Sequence, residues 1–129
     1  HELRWGFGIA KSLAIKKTTL KSRLFFETRY INNTLQNNLT QHRYRWQNSL
    51  SISLKKTKNN CNLNYLISNE FFIKTQQNQT SFDQNRIQNM IQIKLSKFDI
   101  NFGYQYTIQN MNNTVINRNQ FLLSYSLEI

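Results

Sequence analysis

The chain has 129 residues, a formal net charge of +11, no proline, three glycines and one cysteine. This length allows one domain, residues 1–129, with a small core or a small barrel. The single cysteine, Cys61, excludes an internal disulfide and a cysteine-based zinc site. The positive charge indicates an acidic partner, but it does not choose among nucleic acid, lipid headgroups and lipopolysaccharide.

No stretch of the sequence is long and apolar enough to form a transmembrane helix. The mean hydropathy of −0.63 is typical of a water-soluble protein. That inference fails for membrane barrels, because only alternate residues of each strand meet lipid. The chain begins at His1, so either a signal peptide has been removed or the sequence starts inside a longer one.

Apolar and polar residues alternate from one end of the chain to the other, which predicts an all-β protein with no helix. We predict seven strands of about 12–14 residues, which exceeds the roughly 9–11 residues that a tilted strand needs to cross a bilayer. The apolar parity comprises Leu3, Trp5, Phe7, Ile9, Leu13 and Ile15; Leu20, Leu24, Phe26 and Tyr30; His42, Tyr44, Trp46, Leu50, Ile52 and Leu54; Leu63, Tyr65, Ile67, Phe71 and Ile73; Ile87, Ile91, Ile93 and Leu95; Phe98, Ile100, Phe102, Tyr104, Tyr106 and Ile108; and Phe121, Leu123, Tyr125, Leu127 and Ile129.

The predicted connections alternate in length along the chain. Three are short: Lys16–Thr19, Lys56–Asn60 and Ser96–Lys97. Three are long and rich in Asn, Gln and Thr: Ile31–Gln41, Thr75–Gln84 and Asn110–Asn117. Short turns at one end and long loops at the other are typical of an outer-membrane barrel, with the turns periplasmic and the loops extracellular.

Every arginine falls on the polar parity of its strand. A polar strand face can be a solvated surface. Arginine rather than lysine on these faces favours an enclosed lumen, because the guanidinium fork suits pairing with carboxylates. We therefore predict a polar network inside a barrel, formed by Arg4, Arg23, Glu27, Arg29, Arg43, Arg45, Glu70 and Arg86.

Alternation alone does not distinguish a membrane barrel from a soluble lipocalin-like barrel, in which the apolar face points inward. Here the apolar parity carries large side chains, whereas the polar parity includes Gly6, Gly8, Ala10, Ser12 and Ala14, which fit a narrow lumen. Aromatic residues are also good strand formers, but their positions favour a lipid-facing girdle at one membrane interface. That predicted girdle consists of Trp5, Tyr30, Tyr44, Trp46, Phe71, Tyr106 and Phe121.

The number of strands leaves a problem. Single-chain bacterial barrels have an even number of antiparallel strands, and seven strands make the first and last run in the same direction. A periplasmic C-terminus at Ile129 then starts the first strand outside the cell. We expect at least one further strand, either upstream of His1 or supplied by something else, which would give a barrel of about eight strands.

Several short motifs occur in a familiar order: Arg43–Trp46, Asn69–Phe72, Phe82–Arg86 and Gly103–Tyr104. Over about residues 20–129 the chain resembles a family of small outer-membrane barrels of unknown function, common in Bacteroidota. Members of that family often contain glycine where this chain has Ile87–Ile91. The resemblance implies an outer-membrane location and no particular reaction.

The sequence contains no recognisable catalytic, cofactor-binding or metal-binding constellation. His42 is expected at the start of a strand on the lipid side, and Asp83 beside Arg86 is expected to make a local ion pair or turn contact. Nucleic acid is not expected as a partner, because arginines and aromatic residues lie on opposite faces of every strand and stacking platforms need them together.

The sequence therefore predicts an antiparallel up-and-down transmembrane barrel that is not an enzyme and has a structural or accessory role, alone or within a larger envelope complex. Its expected partners are outer-membrane lipid, lipopolysaccharide and other envelope proteins. The main alternative is a soluble lipocalin-like barrel for a small hydrophobic ligand, with Trp46, Phe102 and Tyr104 pointing inward. A membrane-embedded lipid-modifying enzyme would need a nucleophile at the barrel rim, which the sequence does not supply.

Overall fold

The computed structural model describes residues 2–33, 36–56, 61–96, 98–111 and 114–127. His1, Ile129 and the predicted turn residues 57–60 and 97 lie outside the described residues. The strands are β1 (Glu2–Ile15), β2 (Thr18–Asn33), β3 (Gln36–Lys56), β4 (Asn62–Gln76), β5 (Gln79–Lys94), β6 (Phe98–Met111) and β7 (Thr114–Leu127). The prediction of seven strands and an all-β fold is confirmed.

All seven strands form one antiparallel sheet in which each strand pairs with its neighbours in sequence. Over the described residues β1 and β7 are the two edges and do not pair with each other, so the sheet is not closed. The two edge strands run in the same direction because five strands separate them. Among the described residues, none forms a helix long and apolar enough to cross a membrane.

The prediction of three long loops is wrong. The described residues of these segments continue the strands: β2 extends to Asn33, β4 to Gln76 and β6 to Met111. Asn, Gln and Thr are common in loops, but backbone ladder hydrogen bonds form whatever the side chains are. We call the end of the sheet with these β2–β3, β4–β5 and β6–β7 connections the hairpin end, and the opposite end the turn end.

The β4–β5 connection shows how tight the hairpin end is. It consists of Gln77 and Asn78, whose φ angles are 49° and 60°. Two successive left-handed residues between paired antiparallel strands match a type I′ turn, whose twist suits the strands. The predicted ten-residue loop is therefore a two-residue turn.

The sheet has two chemically different faces. The apolar face carries the large side chains of the apolar parity, and most of them are exposed; Trp46 is 52 % exposed and Phe121 81 %. The opposite face, the polar face, carries the arginines and is the more buried. Four of its polar side chains are almost fully buried: Glu70, Gln84, Gln105 and Thr107.

In a flat single sheet neither face is shielded by the rest of the sheet. The deeper burial of the polar face therefore indicates that the sheet is curved. Side chains two strands apart meet on the polar face, where Arg43 of β3 contacts Asp83 of β5 at 3.0 Å. The sheet therefore curves with the polar face on the inside. At β1, Gly6 and Gly8 make room for the inward ring of Phe25, whose atoms would lie 2.6 Å from a Cβ at Gly8.

Candidate functional site

The centre of the polar face is an aromatic ring surrounded by guanidinium groups. Phe72 of β4 is only 1 % exposed. The guanidinium carbon of Arg43 lies 4.3 Å from the ring centroid, that of Arg45 5.1 Å and that of Arg86 5.5 Å. Cations over an aromatic face are attracted by the ring quadrupole, more strongly where water is excluded. Phe72 thus gathers three arginines from β3 and β5 that would otherwise repel one another.

Two carboxylates pair with the cations of this cluster. Glu70 accepts a hydrogen bond from Arg86 Nη1 at 3.1 Å, and its other oxygen lies 3.5 Å from Arg45 Nε. Asp83 is paired with Arg43 Nη2 at 3.0 Å and with Lys74 Nζ at 3.9 Å. The two carboxylates therefore offset part of the positive charge of the three arginines and Lys74.

Asp83 reaches the cluster because of a β-bulge. Phe72 pairs with Gln84 but Ile73 pairs with Phe82, so Asp83 is an extra residue in β5. A bulge re-aims side chains without ending the strand. It directs Phe82 to the apolar face, where its ring lies 5.5 Å from that of Phe71, and leaves Asp83 on the polar face.

The network extends to both edges of the sheet. Toward β1, Arg4 and Arg29 both donate to Glu2, at 2.9 and 2.6 Å, and Arg29 lies 3.5 Å from Glu27. Toward β7, Gln88 donates to Gln105 at 2.6 Å, and Gln105 donates to Gln120 at 2.8 Å. Polar contacts therefore connect the inner surface of every strand.

The eight residues predicted for the polar network all lie on the polar face. Seven of them form ion pairs, and Arg23 instead stacks 5.2 Å from the ring centroid of Phe25. Asp83 pairs with Arg43 and Lys74, so the expected Arg86 contact is wrong. The predicted network does not include Phe25 and Phe72, whose rings lie on the polar face. The only signal for them in the sequence is that each is an aromatic residue on the polar parity of its strand.

His42 lies within β3 and does not begin a strand, contrary to the prediction. Its Nδ1 is 3.0 Å from Thr28 Oγ1, and its ring stacks on Phe26 with centroids 5.7 Å apart. No group of three or more His, Cys, Asp or Glu side chains suited to a metal ion occurs within the described part of the chain. The geometry around His42 is that of a structural hydrogen bond on the apolar face.

The predicted girdle residues all lie on the apolar face. Trp5, Tyr30, Tyr44, Trp46 and Phe121 are exposed there, whereas Phe71 and Tyr106 are half-buried. Phe26, which the prediction did not include, is the centre of an aromatic group on this face: its ring lies 6.0 Å from that of Trp5, 5.4 Å from Phe7 and 5.1 Å from Tyr44.

One row of the apolar face is mostly polar. Following the register across the sheet gives Lys11, Ser22, Asn48, Asn69, Ile87, Tyr106 and Asn119. Parts of this row are hydrogen-bonded within the face: Trp46 Nε1 donates to Ser22 at 3.2 Å, and Asn69 donates to Asn85 at 2.7 Å. In β1 the exception is the single residue Lys11, and only the alignment of the strands places Ser22, Asn48 and Asn69 beside it.

Next to this row the apolar face contains a groove of about 680 Å³. It crosses the first four strands and is lined mainly by apolar side chains, including Phe7, Ile9, Leu24, Trp46 and Phe71. The groove is open along the surface of the sheet and lies on the hairpin-end side of the polar row.

A family model described as "Protein of unknown function (DUF2490)" matches residues 2–120. The chain belongs to this family. The match to DUF2490 includes every residue of the Phe72 cluster and of the groove. The expected resemblance to a family of unknown function is confirmed, whereas the outer-membrane and Bacteroidota parts of that expectation stay predictions. Neither a search of curated proteins nor a search of solved structures returned a match.

Proposed function

We propose that this chain is an integral outer-membrane β-barrel protein with a structural or accessory role, alone or as a subunit of a larger envelope complex. The supporting observation is the inverted burial: charged and amide side chains are buried on the inside of the curve, and Trp, Phe, Tyr and Leu are exposed on the outside. In water this arrangement would leave a large contiguous apolar surface uncovered. In a bilayer the same surface faces hydrocarbon.

The exposed apolar side chains form a belt that slopes across the strands, which supports the same proposal. In β1 the belt runs from Leu3 to Ile15, with its midpoint two residues before Lys11. In β7 it runs from Val115 to Leu127, interrupted by Asn117 and Asn119, with its midpoint two residues after Asn119, which shares a register row with Lys11. The belt thus shifts by four residues, about 13 Å, across six strand spacings that span about 29 Å. When such a belt lies level in a bilayer, the strands are tilted from the bilayer normal, as strands are in transmembrane barrels.

The polar network on the inside of the curve argues against an open channel through the barrel. Its arginines, carboxylates and glutamines contact one another from β1 to β7 on the inside of the curve. We propose that they plug the lumen, so that the protein neither conducts nor catalyses. Closure of the sheet by a further strand, periplasmic turns and contacts with outer-membrane lipid and lipopolysaccharide belong to the same proposal.

The soluble ligand-binding alternative has less support. It requires Trp46, Phe102 and Tyr104 to point inward, but these residues are 52 %, 55 % and 36 % exposed on the outside of the curve. The apolar groove is also an open surface feature.

Electrophoresis of the purified protein in SDS tests the proposal. A closed membrane barrel resists cold SDS, so we expect two mobilities, a folded form before boiling and an unfolded form afterwards. The protein should also require detergent or lipid to stay in solution. A monodisperse protein in detergent-free buffer with one mobility in SDS would contradict the membrane proposal.

A further inference from the structure

The two ends of the sheet differ in charge. The segments around the turn-end connections contain seven lysines and no acidic residue. They are residues 16–17, 55–58 and 94–97. The segments around the hairpin-end connections contain no Lys, Arg, Asp or Glu. They are residues 31–41, 75–82 and 109–117. A partner attracted by charge to the strand ends therefore meets the protein at the turn end.

A β-bulge places one of these lysines on the apolar face. Ser53 pairs with Asn64 across the sheet. Two residues further on, Lys55 pairs with Leu63, so Leu54 is an extra residue in β3. Strict alternation would put Lys55 on the polar face with Ser53. Because a bulge re-aims the side chains that follow it, Lys55 instead lies on the apolar face beside the exposed Leu54.

Two further lysines lie next to Lys55. Lys16 and Lys17 form the two-residue turn between β1 and β2, and both are exposed. The carbonyl of Lys17 accepts a hydrogen bond from the backbone N–H of Ser53 at 2.8 Å, which holds this turn against β3 two residues before Lys55. Among the described residues, none of the three lysines forms an ion pair. We call Lys16, Lys17 and Lys55 the lysine cluster.

The lysine cluster borders the apolar face directly. Ile15 precedes Lys16 in the chain, and Leu13 and Leu54 lie near it; all three apolar side chains are exposed. A phospholipid in the turn-end leaflet of a bilayer presents its phosphate at the end of the strands and its acyl chains further along them. The order of cations and apolar side chains along β1 and β3 therefore complements an anionic phospholipid in its bilayer orientation.

We propose that the lysine cluster binds the phosphate groups of anionic phospholipids in the turn-end leaflet, with their acyl chains against Ile15 and Leu54. The inference rests on the proposed function, because it requires the apolar face to lie in a bilayer. It adds the leaflet and the headgroup charge that the protein selects. A phospholipid fits better than an acidic protein, because the exposed apolar surface continues directly from the cluster.

Fluorescence quenching at the native cysteine tests the cluster. Cys61 precedes Asn62, which pairs with Lys56, so a bimane on Cys61 reports on lipids at this end of β3. The labelled protein is reconstituted in phosphatidylcholine with a minor fraction of lipid that carries a nitroxide near its headgroup, either phosphatidylglycerol or phosphatidylcholine. We expect phosphatidylglycerol to be enriched at Cys61 by about fivefold or more, since about fivefold corresponds to one lysine near an anionic surface. The enrichment should disappear in about 1 M salt, where the Debye length is about 3 Å.

Two matched double variants decide whether the cluster is responsible. Lys17→Gln with Lys55→Gln should remove most of the enrichment. Lys21→Gln with Lys94→Gln removes the same charge from the polar face of the same half of the sheet and should retain it. Equal quenching by both lipids in the parent, enrichment that is insensitive to salt, or equal loss in both double variants would overturn the headgroup site and leave the membrane proposal standing. Absence of quenching by either nitroxide lipid would overturn both.

Discussion

Glu70 holds together charges from three strands. It is 8 % exposed and contacts Arg86 of β5 at 3.1 Å and Arg45 of β3 at 3.5 Å. A buried carboxylate between two guanidinium groups contributes mainly by preventing them from being buried unpaired. The same arginines also contact the ring of Phe72, so the ion pairs and the aromatic contact depend on one arrangement.

Glu70→Gln keeps the shape of the side chain and removes its charge, which leaves Arg45 and Arg86 without their carboxylate. We expect the free energy of unfolding to fall by about 1–3 kcal/mol, because the two arginines are only partly exposed. Urea unfolding of the protein in lipid vesicles, followed by tryptophan fluorescence, measures this change.

Asp99→Asn is the matched control. Asp99 pairs with Lys94 at 3.8 Å, and the lysine side chain is 48 % exposed, so the change should stay below about 0.5 kcal/mol. Equal effects of the two substitutions would show that burial of the Phe72 cluster adds nothing to its ion pairs.

Some residue contacts could be predicted from the sequence and others could not. The polar parity was enough to place Arg45 and Glu70 on one face, and adjacent strands then bring them together. The Arg43–Asp83 contact depends on an extra residue in β5, and alternation within that strand does not reveal which residue is extra. The polar row through Lys11 is not recognisable from the sequence for a related reason: one exception within β1 carries little information until Ser22, Asn48 and Asn69 are aligned beside it.

At the scale of elements, the hairpin end differs most from the sequence prediction. The composition of Thr75–Gln84 predicts a loop, yet Thr75 pairs with Thr80 and their hydroxyl groups lie 2.9 Å apart. Beyond the apolar residues, strands pair through backbone hydrogen bonds and contacts between short polar side chains. A segment rich in Asn, Gln and Thr can make both, so its composition does not exclude a strand.

The turn at Gln77–Asn78 gives a prediction at this scale. Both residues have positive φ, which costs more for Gln than for Asn or Gly. Replacing the pair by Asn-Gly, the preferred type I′ sequence, should stabilise the protein by about 0.5–1 kcal/mol. The urea midpoint measures the change.

Gln77→Val is the opposing variant, because a branched side chain is disfavoured at positive φ. It should lower the urea midpoint. A midpoint that is insensitive to both changes would indicate that residues 77 and 78 form an open loop in solution.

At the scale of the whole molecule, the proposed orientation can be tested with the single cysteine. Cys61 directly precedes β4 at the turn end, and Asn78 is exposed at the hairpin end. The proposal places the turn end in the periplasm. In intact Gram-negative cells, a membrane-impermeant maleimide should label Cys61 only after the outer membrane is permeabilised.

The matched variant carries Cys61→Ser and Asn78→Cys. It should be labelled in intact cells without permeabilisation, because the proposal places the hairpin end outside the cell. The reverse pattern, with Cys61 accessible and residue 78 protected, would contradict the orientation and leave insertion itself unaffected.

The order of the strands has a consequence for how such a sheet can form and vary. Every described strand pairs with its neighbours in sequence, so each register is set between two strands that are adjacent in the chain. Each hairpin is therefore able to form before the next strand is added. Adding or removing a hairpin at either edge would leave every remaining register unchanged, because no part of the sheet is threaded through another.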